Sequence, residues 1–238
     1  MKVIRIEDPI FMFLMETKSN VDWMRSVWDR CGFQNSFVVP SNGLSGGLTL
    51  FWKSEVTVQV KTATLMYIDA WFEGGGYEGK WHLTGFYGNP ITSLRTESWR
   101  ILQSISSGSQ LPWVVIGDFN EITCADEKEG GMQRLNRQMA RFKDTIISCG
   151  LHEVKFVGPR FTWLYQTQER VQIRERLDRV LVSKDWILKF PDAVVLHKSS
   201  STFNYCQLLL LFRPKLKRMK PRRLFRFESM WLKDPKCE

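Results

Sequence analysis

The chain has 238 residues, of which 43% are hydrophobic and 13% aromatic, and its formal net charge at pH 7 is +9. This composition predicts a folded protein with a sizeable core and excludes a disordered chain, because disordered chains are poor in aromatic residues. Its 5 cysteines are scattered and form no CxxC pair, which indicates neither a disulfide framework nor a zinc site. No membrane span or signal peptide is evident, so we expect an intracellular, including nuclear, protein that is not secreted.

The positive charge is concentrated near the C-terminus. Residues 213–226 contain eight basic residues and no acidic residue, whereas the rest of the chain is nearly neutral. We therefore divide the chain into a predicted domain over residues 1–212 and a basic tail or linker over residues 213–238. Such a segment suits phosphate binding, although a solvated linker explains it equally well. The residues predicted to bind nucleic acid are Arg213, Lys215, Lys217, Arg218, Lys220, Arg222 and Arg223.

The first half of the chain is rich in predicted strands. Residues 11–15 form an apolar run that predicts a buried strand, and the helix that follows has Asn20 as its N-cap and Gly32 just past its end. Alternating or continuous apolar residues predict the next strands. These cover residues 36–39, 47–52, 56–60, 66–72 and 81–87.

The second half mixes helices and strands. One helix is predicted to begin near Ser93 and to bury Leu94, Ile101, Leu102 and Ile105, and another covers residues 135–149. The remaining predicted strands cover residues 113–116, 161–164, 177–182, 193–196 and 205–212. Many strands and only about three helices predict an α/β architecture in which two sheets pack face to face with helices outside.

Acidic and amide side chains stand next to three of the predicted strands. Glu16 follows the first buried run, Asp118 and Asn120 follow another, and Asp178 begins a third. Residues at strand ends can meet at one rim of a sheet, and hard oxygen ligands of this kind suit Mg²⁺. Each of these residues taken alone is more typical of an ordinary solvated loop.

Several segments in a fixed order resemble the endonuclease/exonuclease/phosphatase family, which includes DNase I and the apurinic/apyrimidinic endonucleases. They are residues 14–18 (LMETK), 84–88 (TGFYG), 117–120 (GDFN), 161–163 (FTW) and 176–179 (RLDR). Residues 45–48, 127–131 and 225–232 further resemble segments of endonuclease domains from plant-type LINE non-LTR retrotransposons. The likeness covers nearly the whole chain.

The resemblance implies a DNase I-like four-layer sandwich, in which two packed mixed β-sheets are flanked by helices. It also implies a Mg²⁺-dependent DNA endonuclease, with Mn²⁺ as an alternative ion, DNA as partner, no small-molecule cofactor and a monomeric state. By this resemblance Glu16 would hold the metal and Asp118 would orient or deprotonate the attacking water. Asn120 and Tyr87 would hydrogen-bond phosphate oxygens, and Asp178 would orient a histidine.

Two departures from the family pattern predict a degraded catalytic set. The family opens with a strand that carries an active-site asparagine, but residues 1–8 show no such motif, so we expect that strand either to be lost or to be encoded upstream of Met1. The family also ends its set with Ser-Asp-His, where this chain has Phe203, Asn204 and Tyr205. Asn204 cannot supply a carboxylate, and a tyrosine with an ordinary pKa of about 10 cannot replace imidazole near neutrality.

No histidine is placed to fill that position. His82 lies within a predicted strand, His152 follows a helix, and His197 comes too early in the chain, so all three are interpreted as structural. We therefore expect weak or absent nuclease activity. The alternatives are a non-catalytic nucleic-acid-binding remnant and a decayed retroelement product without function.

Overall fold

The computed structural model describes residues 2–19, 21–41, 46–108, 110–166, 172–198 and 205–212. The predicted N-cap Asn20, the family position Asn204 and the basic tail from Arg213 onward lie outside the described residues. Among the described helices, none combines the length and the apolar character that crossing a membrane requires.

The described residues form both helices and strands. The helices are α1 (Lys2–Glu7), α2 (Val21–Cys31), α3 (Arg95–Ser107), α4 (Asn136–Ser148) and α5 (Lys184–Lys189). The strands are β1 (Phe11–Leu14), β2 (Asn35–Val39), β3 (Leu48–Trp52), β4 (Val56–Ala63), β5 (Tyr67–Gly74), β6 (Tyr77–Tyr87), β7 (Trp113–Asp118), β8 (Lys128–Glu129), β9 (Leu151–Glu153), β10 (Phe156–Val157), β11 (Trp163–Gln166), β12 (Gln172–Glu175), β13 (Asp178–Ser183), β14 (Val194–Lys198) and β15 (Gln207–Leu211).

A six-stranded sheet in the order β4-β5-β6-β7-β13-β9 forms the centre of the fold. Strands β6 and β7 are parallel, and the other neighbouring pairs are antiparallel. Successive side chains point to opposite faces of a strand, and nearly all residues of β7, β13 and the second half of β6 are buried, so these inner strands are covered on both faces. Leu83, Val114 and Val180 face one apolar cluster, whereas Val115 and Leu181 face another that includes residues of α3 and α4.

A second layer of strands packs on the Leu83 face of the central sheet. It consists of two separate three-stranded sheets, β1-β3-β2 and β10-β14-β15. Phe13, Leu50 and Leu210 from these sheets belong to or pack against the same core cluster as Leu83. Helix α2 covers the outer side of the first small sheet, where Met24 packs with residues of β1 and β3. The predicted α/β architecture of packed sheets with outer helices is therefore confirmed, but the second layer is divided.

Two helix boundaries differ from the prediction. Leu94 is exposed, because it lies in a short 3-10 helix (Thr92–Leu94) that precedes α3. Leu135 is also exposed, because it has an extended backbone and caps α4 from outside the helix. The predicted end of α2 is confirmed, since Gly32 has a φ of 78°, which glycine adopts at low cost.

Several short elements were not predicted. Helices α1 and α5 each have six residues, and β8 and β10 each have two. Elements of this length are too short to repeat an apolar pattern. A local contact stabilises α5 instead, because Trp186 N donates a hydrogen bond to the Ser183 side chain at its start.

Candidate active site

Three polar side chains lie side by side at the ends of adjoining strands of the central sheet. In the strand register Tyr87 on β6 is opposite Asp118 on β7, and Asp118 is opposite Asp178 on β13. Side chains an even number of residues apart on a strand point to the same face. Each of the three lies an even number of residues from a side chain in the core cluster shared with the second layer, such as Val114 and Val180, so all three face that layer. The pairing of the strands thus sets one row of polar groups at this rim.

The second layer brings Glu16 to the same row. Strand β1 ends at Leu14, and Glu16 lies two residues beyond that end. The Tyr87 hydroxyl donates a hydrogen bond to Glu16 Oε1. The neighbouring Met15 Sδ lies 3.3 Å from the Asp118 backbone nitrogen, which donates to it. The structure therefore brings together four residues that were predicted to converge, namely Glu16, Tyr87, Asp118 and Asp178.

Asn120 belongs to the loop that follows β7, and hydrogen bonds fix it against the loop that follows β6. Its backbone N–H donates to Asp118 Oδ1 at 2.6 Å, and its Nδ2 donates to Gly88 O at 2.8 Å. A Cβ on Gly88 would lie 2.4 Å from Phe119 O, and one on Gly117 would lie 1.8 Å from Phe86 O. The two glycines therefore let these loops approach closely enough to hold Asn120 beside Asp118.

The FTW segment has a positioning role that could not be predicted from its residues, beyond its likeness to the family. The Thr162 hydroxyl accepts hydrogen bonds from the backbone nitrogens of Leu177 and Asp178, both at 3.0 Å. The Thr162 carbonyl accepts a further hydrogen bond from Cys206 N at 2.7 Å, and Trp163 forms an isolated antiparallel β-bridge with Tyr205. This segment thus fixes Asp178 and Tyr205 relative to one another.

Tyr205 lies at the cluster, as the alignment with the family predicted. Burial, followed by the negative charge of Glu16, raises the pKa of its hydroxyl, and Asp118 and Asp178 act in the same direction. The hydroxyl is therefore protonated near neutrality. Its predicted neighbour Asn204 lies outside the described residues.

All three histidines lie within the described residues, and their contacts are elsewhere. His82 Nε2 is 2.6 Å from Asp69 Oδ1, and its ring stacks on Trp113. His197 Nδ1 is 2.7 Å from Pro159 O, and its ring stacks on Phe156. His152 is exposed on β9. Two of the three therefore have specific structural partners, in agreement with the interpretation of their positions in the sequence.

The comparison with protein families decides the identity of this fold. The family described as "Endonuclease/Exonuclease/phosphatase family" matches residues 1–201. The chain belongs to this family. A comparison with curated proteins finds no match.

Solved structures agree with the fold of an endonuclease/exonuclease/phosphatase domain. The endonuclease domain of TRAS1, a telomere-specific non-LTR retrotransposon, has a TM-score of 0.63 at 12% identity, covering 90% of this chain and 92% of that one. An AP endonuclease from Archaeoglobus fulgidus has a TM-score of 0.67 at 13% identity, covering 89% and 91%. The 3′ phosphatase NExo from Neisseria, bound to a product DNA hairpin, has a TM-score of 0.64 at 14% identity, covering 89% and 91%. At these identities the likeness shows a common fold.

The two aspartates of the site are buried beside each other, which disfavours their ionised forms. Burial raises the pKa of Asp118 to about 7, with the Glu16 charge adding to the effect and the Asn120 N–H opposing it. Burial and the Asp118 charge raise the pKa of Asp178 well above its ordinary value. Within the described part of the chain, Asp178 Oδ2 has no hydrogen-bond partner. The site therefore concentrates negative charge that a cation would relieve.

The donor set fits Mg²⁺ held by few protein ligands. Among the described residues, no group of three or more His, Cys, Asp or Glu side chains is arranged as a closed metal site. Mg²⁺ does not need one, because it commonly keeps several waters and takes one or two carboxylates together with substrate phosphate. Glu16 and Asp118 supply hard oxygen atoms of this kind at the rim.

Sequence reasoning missed the ion pairs that surround Asp178. Arg176 and Arg179, which flank Leu177 and Asp178 in the RLDR segment, bond to Glu127 at 3.0 and 2.9 Å, and Arg179 also bonds to Glu153 at 3.1 Å. Burial alone would raise the pKa of Glu127, but hydrogen bonds and charge from Arg179 lower it to about 2. The arginines of this segment therefore have a structural role, and the nearby acidic segment 127–131 was the available signal.

A second buried network supports the Asn120 side of the site. Glu121 directly follows Asn120 in the chain, and Arg95 Nη1 donates a hydrogen bond to its Oε2 at 2.8 Å. Arg134 lies 3.7 Å from Glu121 and also donates to Glu175 Oε2 on β12 at 2.9 Å, and Glu175 further pairs with Lys128. These pairs tie the loop after β7 to α3 and β12.

Glu16 has a φ of 49°, in the left-handed region, where L-residues are strained by about 1–2 kcal/mol. Glu16→Ala and Glu16→Gly both remove the bond from Tyr87, but only glycine relieves the backbone. Glycine also adds entropy to the unfolded chain, which offsets part of this gain. We therefore expect the free energy of unfolding in urea to be about 1 kcal/mol higher for Glu16→Gly than for Glu16→Ala. At Glu73, an exposed strand residue, the alanine variant should instead be more stable than the glycine variant. The same order at both positions would contradict the proposed strain.

Proposed function

We propose that the chain is a Mg²⁺-dependent phosphodiesterase that nicks DNA, and that its catalysis is slow. The observation that carries this proposal is the row of Tyr87, Asp118 and Asp178 on adjoining strand ends, with Glu16 and Asn120 beside it. In the described residues no lysine or arginine forms an ion pair with the carboxylates of this row. That charge is therefore available to a metal ion and to the reacting water.

Each group suits one part of phosphodiester hydrolysis. Asp118, whose pKa lies at about 7, can accept a proton from water near neutral pH. Asn120 is held by Gly88 and presents its remaining amide hydrogen, and Tyr87 stays protonated because burial and Glu16 raise its pKa. Both can donate hydrogen bonds to phosphate oxygens as charge develops. A bound Mg²⁺ at Glu16 would polarise the phosphate and stabilise the leaving oxygen.

Tyr205 is the reason to expect slow catalysis. A phenol with a raised pKa can donate a hydrogen bond but cannot carry the positive charge of an imidazolium near neutrality. Within the described residues Asp178 Oδ2 has no hydrogen-bond partner, as expected if the histidine that it would orient has been lost. A single general acid–base group typically contributes about 10²–10⁴-fold to the rate.

DNA is the proposed substrate, and a LINE-type retrotransposon is the proposed origin. The similar fold of the TRAS1 endonuclease domain and the DNA hairpin bound to NExo support this choice. We place catalysis in residues 1–212 and assign DNA gripping to the basic tail 213–238, which carries most of the net charge. A monomer acting in the nucleus is the state most consistent with this proposal.

Nicking of supercoiled plasmid DNA in Mg²⁺ tests the proposal. The protein should nick about 10²-fold more slowly than a family member with an intact Asp-His pair, and Asp118→Asn should abolish the nicking that remains. The double change Asn204→Asp and Tyr205→His should restore part of the rate, because it returns a carboxylate and an imidazole. Tyr165→His is the matched control, since Tyr165 and Tyr205 are both 48% exposed.

The outcomes separate the possible functions. Nicking at the rate of an intact relative, lost in Asp118→Asn, would show that Tyr205 does not impair catalysis. Salt-sensitive DNA binding without nicking, even in the double variant, would favour a non-catalytic nucleic-acid-binding remnant.

A further inference from the structure

A pocket of about 530 Å³ lies between the first turns of α3 and α4, outside the candidate active site. Thr92 and Ser93 of the 3-10 helix and Thr96 of α3 line one wall. Arg137 and Arg141 of α4 line the other wall. None of the described residues that line the pocket is acidic. The pocket therefore combines hydroxyl groups with two positive charges.

The two arginines of the pocket have no partner within the described part of the chain. Both residues are exposed, and neither guanidinium forms a hydrogen bond, an ion pair or a ring contact with a described residue. Arg137 and Arg141 lie one helical turn apart, so their like charges repel each other. By contrast, the nearby Arg95 and Arg134 are both paired with acids. An anion in the pocket would relieve the repulsion between the two unpaired charges.

The remaining groups of the pocket suit a phosphate that is attached to a sugar. Gln138 Oε1 accepts a hydrogen bond from Leu135 N at 3.2 Å, which leaves the amide nitrogen of Gln138 to donate to a ligand. Hydroxyl groups can also donate to phosphate oxygens, and guanidinium groups bind phosphate through paired N–H donors. Ile91 adds an exposed apolar side chain to the lining, against which the carbon atoms of a sugar can pack.

Buried ion pairs fix this pocket relative to Asn120. Arg95 donates hydrogen bonds to Pro90 O at 3.1 Å and to Glu121 Oε2 at 2.8 Å. Arg134, two residues before α4, lies 3.7 Å from the same Glu121. Both walls of the pocket are thus attached to the residue that directly follows Asn120.

The pocket lies within a short distance of the candidate active site. Ile91 is three residues beyond Gly88, whose carbonyl accepts the hydrogen bond from Asn120. Three residues span at most about 11 Å. A DNA strand carries one phosphate about every 3.4 Å along the helix axis, so it covers this distance in roughly three nucleotides. One strand can therefore reach the active site and the pocket together.

We propose that this pocket binds one phosphate group of a DNA strand, about three nucleotides from the phosphate that is cleaved. The inference rests on DNA being the substrate, as proposed above. Arg137 and Arg141 neutralise the phosphate, and the hydroxyl groups of the opposite wall orient it. Such a contact positions the strand without reading its sequence, because every nucleotide carries the same phosphate.

Salt-dependent binding of the full chain to a short labelled duplex tests this inference without catalysis, because EDTA removes the metal ion. The double variant Arg137→Gln and Arg141→Gln should bind about tenfold more weakly. The slope of log K against log salt should fall in magnitude by about 0.9, the change expected for one phosphate contact. The basic tail is present in both proteins, so its contribution cancels.

The matched control is the double variant Lys143→Gln and Lys155→Gln. Both lysines are exposed and lie outside the pocket, so this variant loses the same charge but should keep the slope of the unsubstituted protein.

Modified DNA locates the phosphate along the strand. In Mg²⁺, one neutral methylphosphonate linkage about three nucleotides from the nick should slow nicking by the unsubstituted protein about tenfold. The same linkage should have no further effect on the arginine variant, because the two changes remove one interaction.

Several results would overturn the proposal. Equal changes of slope in the arginine and lysine variants would show an effect of general charge. An unchanged slope in the arginine variant is the result expected if an acid from elsewhere in the chain occupies the pocket. Calorimetry with inorganic phosphate separates a small ligand from DNA. Phosphate binding that the arginine variant loses, with DNA binding unchanged, would assign the pocket to a small phosphate compound.

Failure of the proposed substrate has a different signature. If the unsubstituted protein shows no salt-dependent binding to DNA, then DNA as substrate is wrong, and the pocket proposal is wrong with it. If the unsubstituted protein binds DNA and the arginine variant binds equally well, the substrate proposal stands and only the pocket assignment is wrong.

Discussion

Glu127→Ala should lower the free energy of unfolding by about 3–5 kcal/mol, one of the largest effects expected from a single change. Glu127 accepts hydrogen bonds from both Arg176 and Arg179, whose side chains are 7% and 0% exposed. Removing it leaves the guanidinium groups to share Glu153, which is itself partly exposed. Urea unfolding of the two proteins at neutral pH measures the difference.

The neighbouring acid Glu129 provides the matched control for this change. Its ion pair with Arg174 is about half exposed on both sides, so Glu129→Ala should cost at most about 1 kcal/mol. Since the pKa of Glu127 is lowered to about 2, its contribution is present above the unfolded value near 4 and is lost as pH falls towards 2. Similar losses for both variants, or a loss from Glu127→Ala that persists at pH 2, would contradict the buried-pair interpretation.

How far the fold can be predicted depends on the length of each element. Residues 81–87 and 113–116 are largely apolar runs, and they lie in β6 and β7 of the central sheet. The six-residue helix α5 and the two-residue strand β10 are too short to give a repeated pattern. A local cap at Ser183 stabilises α5, and pairing with the distant strand β14 stabilises β10. The division of the second layer into two sheets also depends on which strands pair, and apolar patterning does not specify that.

The candidate site was predicted more fully than its surroundings. Glu16, Asp118 and Asp178 follow or begin strongly apolar strands, so their place at a sheet rim can be inferred from the pattern together with the family motifs. The pairing of Arg179 with Glu127 could not be inferred, because the two residues are far apart in sequence and salt bridges have no local spacing rule. The role of Thr162 in orienting Asp178 depends likewise on a contact between separate segments.

The site itself is expected to reduce the stability of the fold. Burial raises the pKa of Asp118 to about 7, so the folded protein holds a proton there that the unfolded chain, with a pKa near 4, releases. The contribution of this group to stability is therefore present in full below about pH 4 and is lost as pH rises through 7. Above that pH the ionised carboxylate faces Glu16 and Asp178 without an ion-pair partner among the described residues.

Asp118→Asn should therefore raise the free energy of unfolding at pH 8, by an amount on the order of 4 kcal/mol, while it abolishes nicking. The amide oxygen of the new side chain can still accept the hydrogen bond from Asn120 N, so the loop after β7 should keep its conformation. At pH 4 the two proteins should differ little, because Asp118 is then protonated in the folded state. Unfolding in urea at several pH values between 4 and 8 measures this crossover.

Mg²⁺ provides an independent readout of the same charge. It should stabilise the unsubstituted protein at pH 8 by an amount that grows with the ion concentration, and it should stabilise Asp118→Asn less. Asp192→Asn is the matched control, because Asp192 is exposed and should change neither the pH dependence nor the response to Mg²⁺. If Asp118→Asn were less stable than the unsubstituted protein at pH 8, the ionised Asp118 would have to be well solvated, and a raised pKa could not be the source of its reactivity.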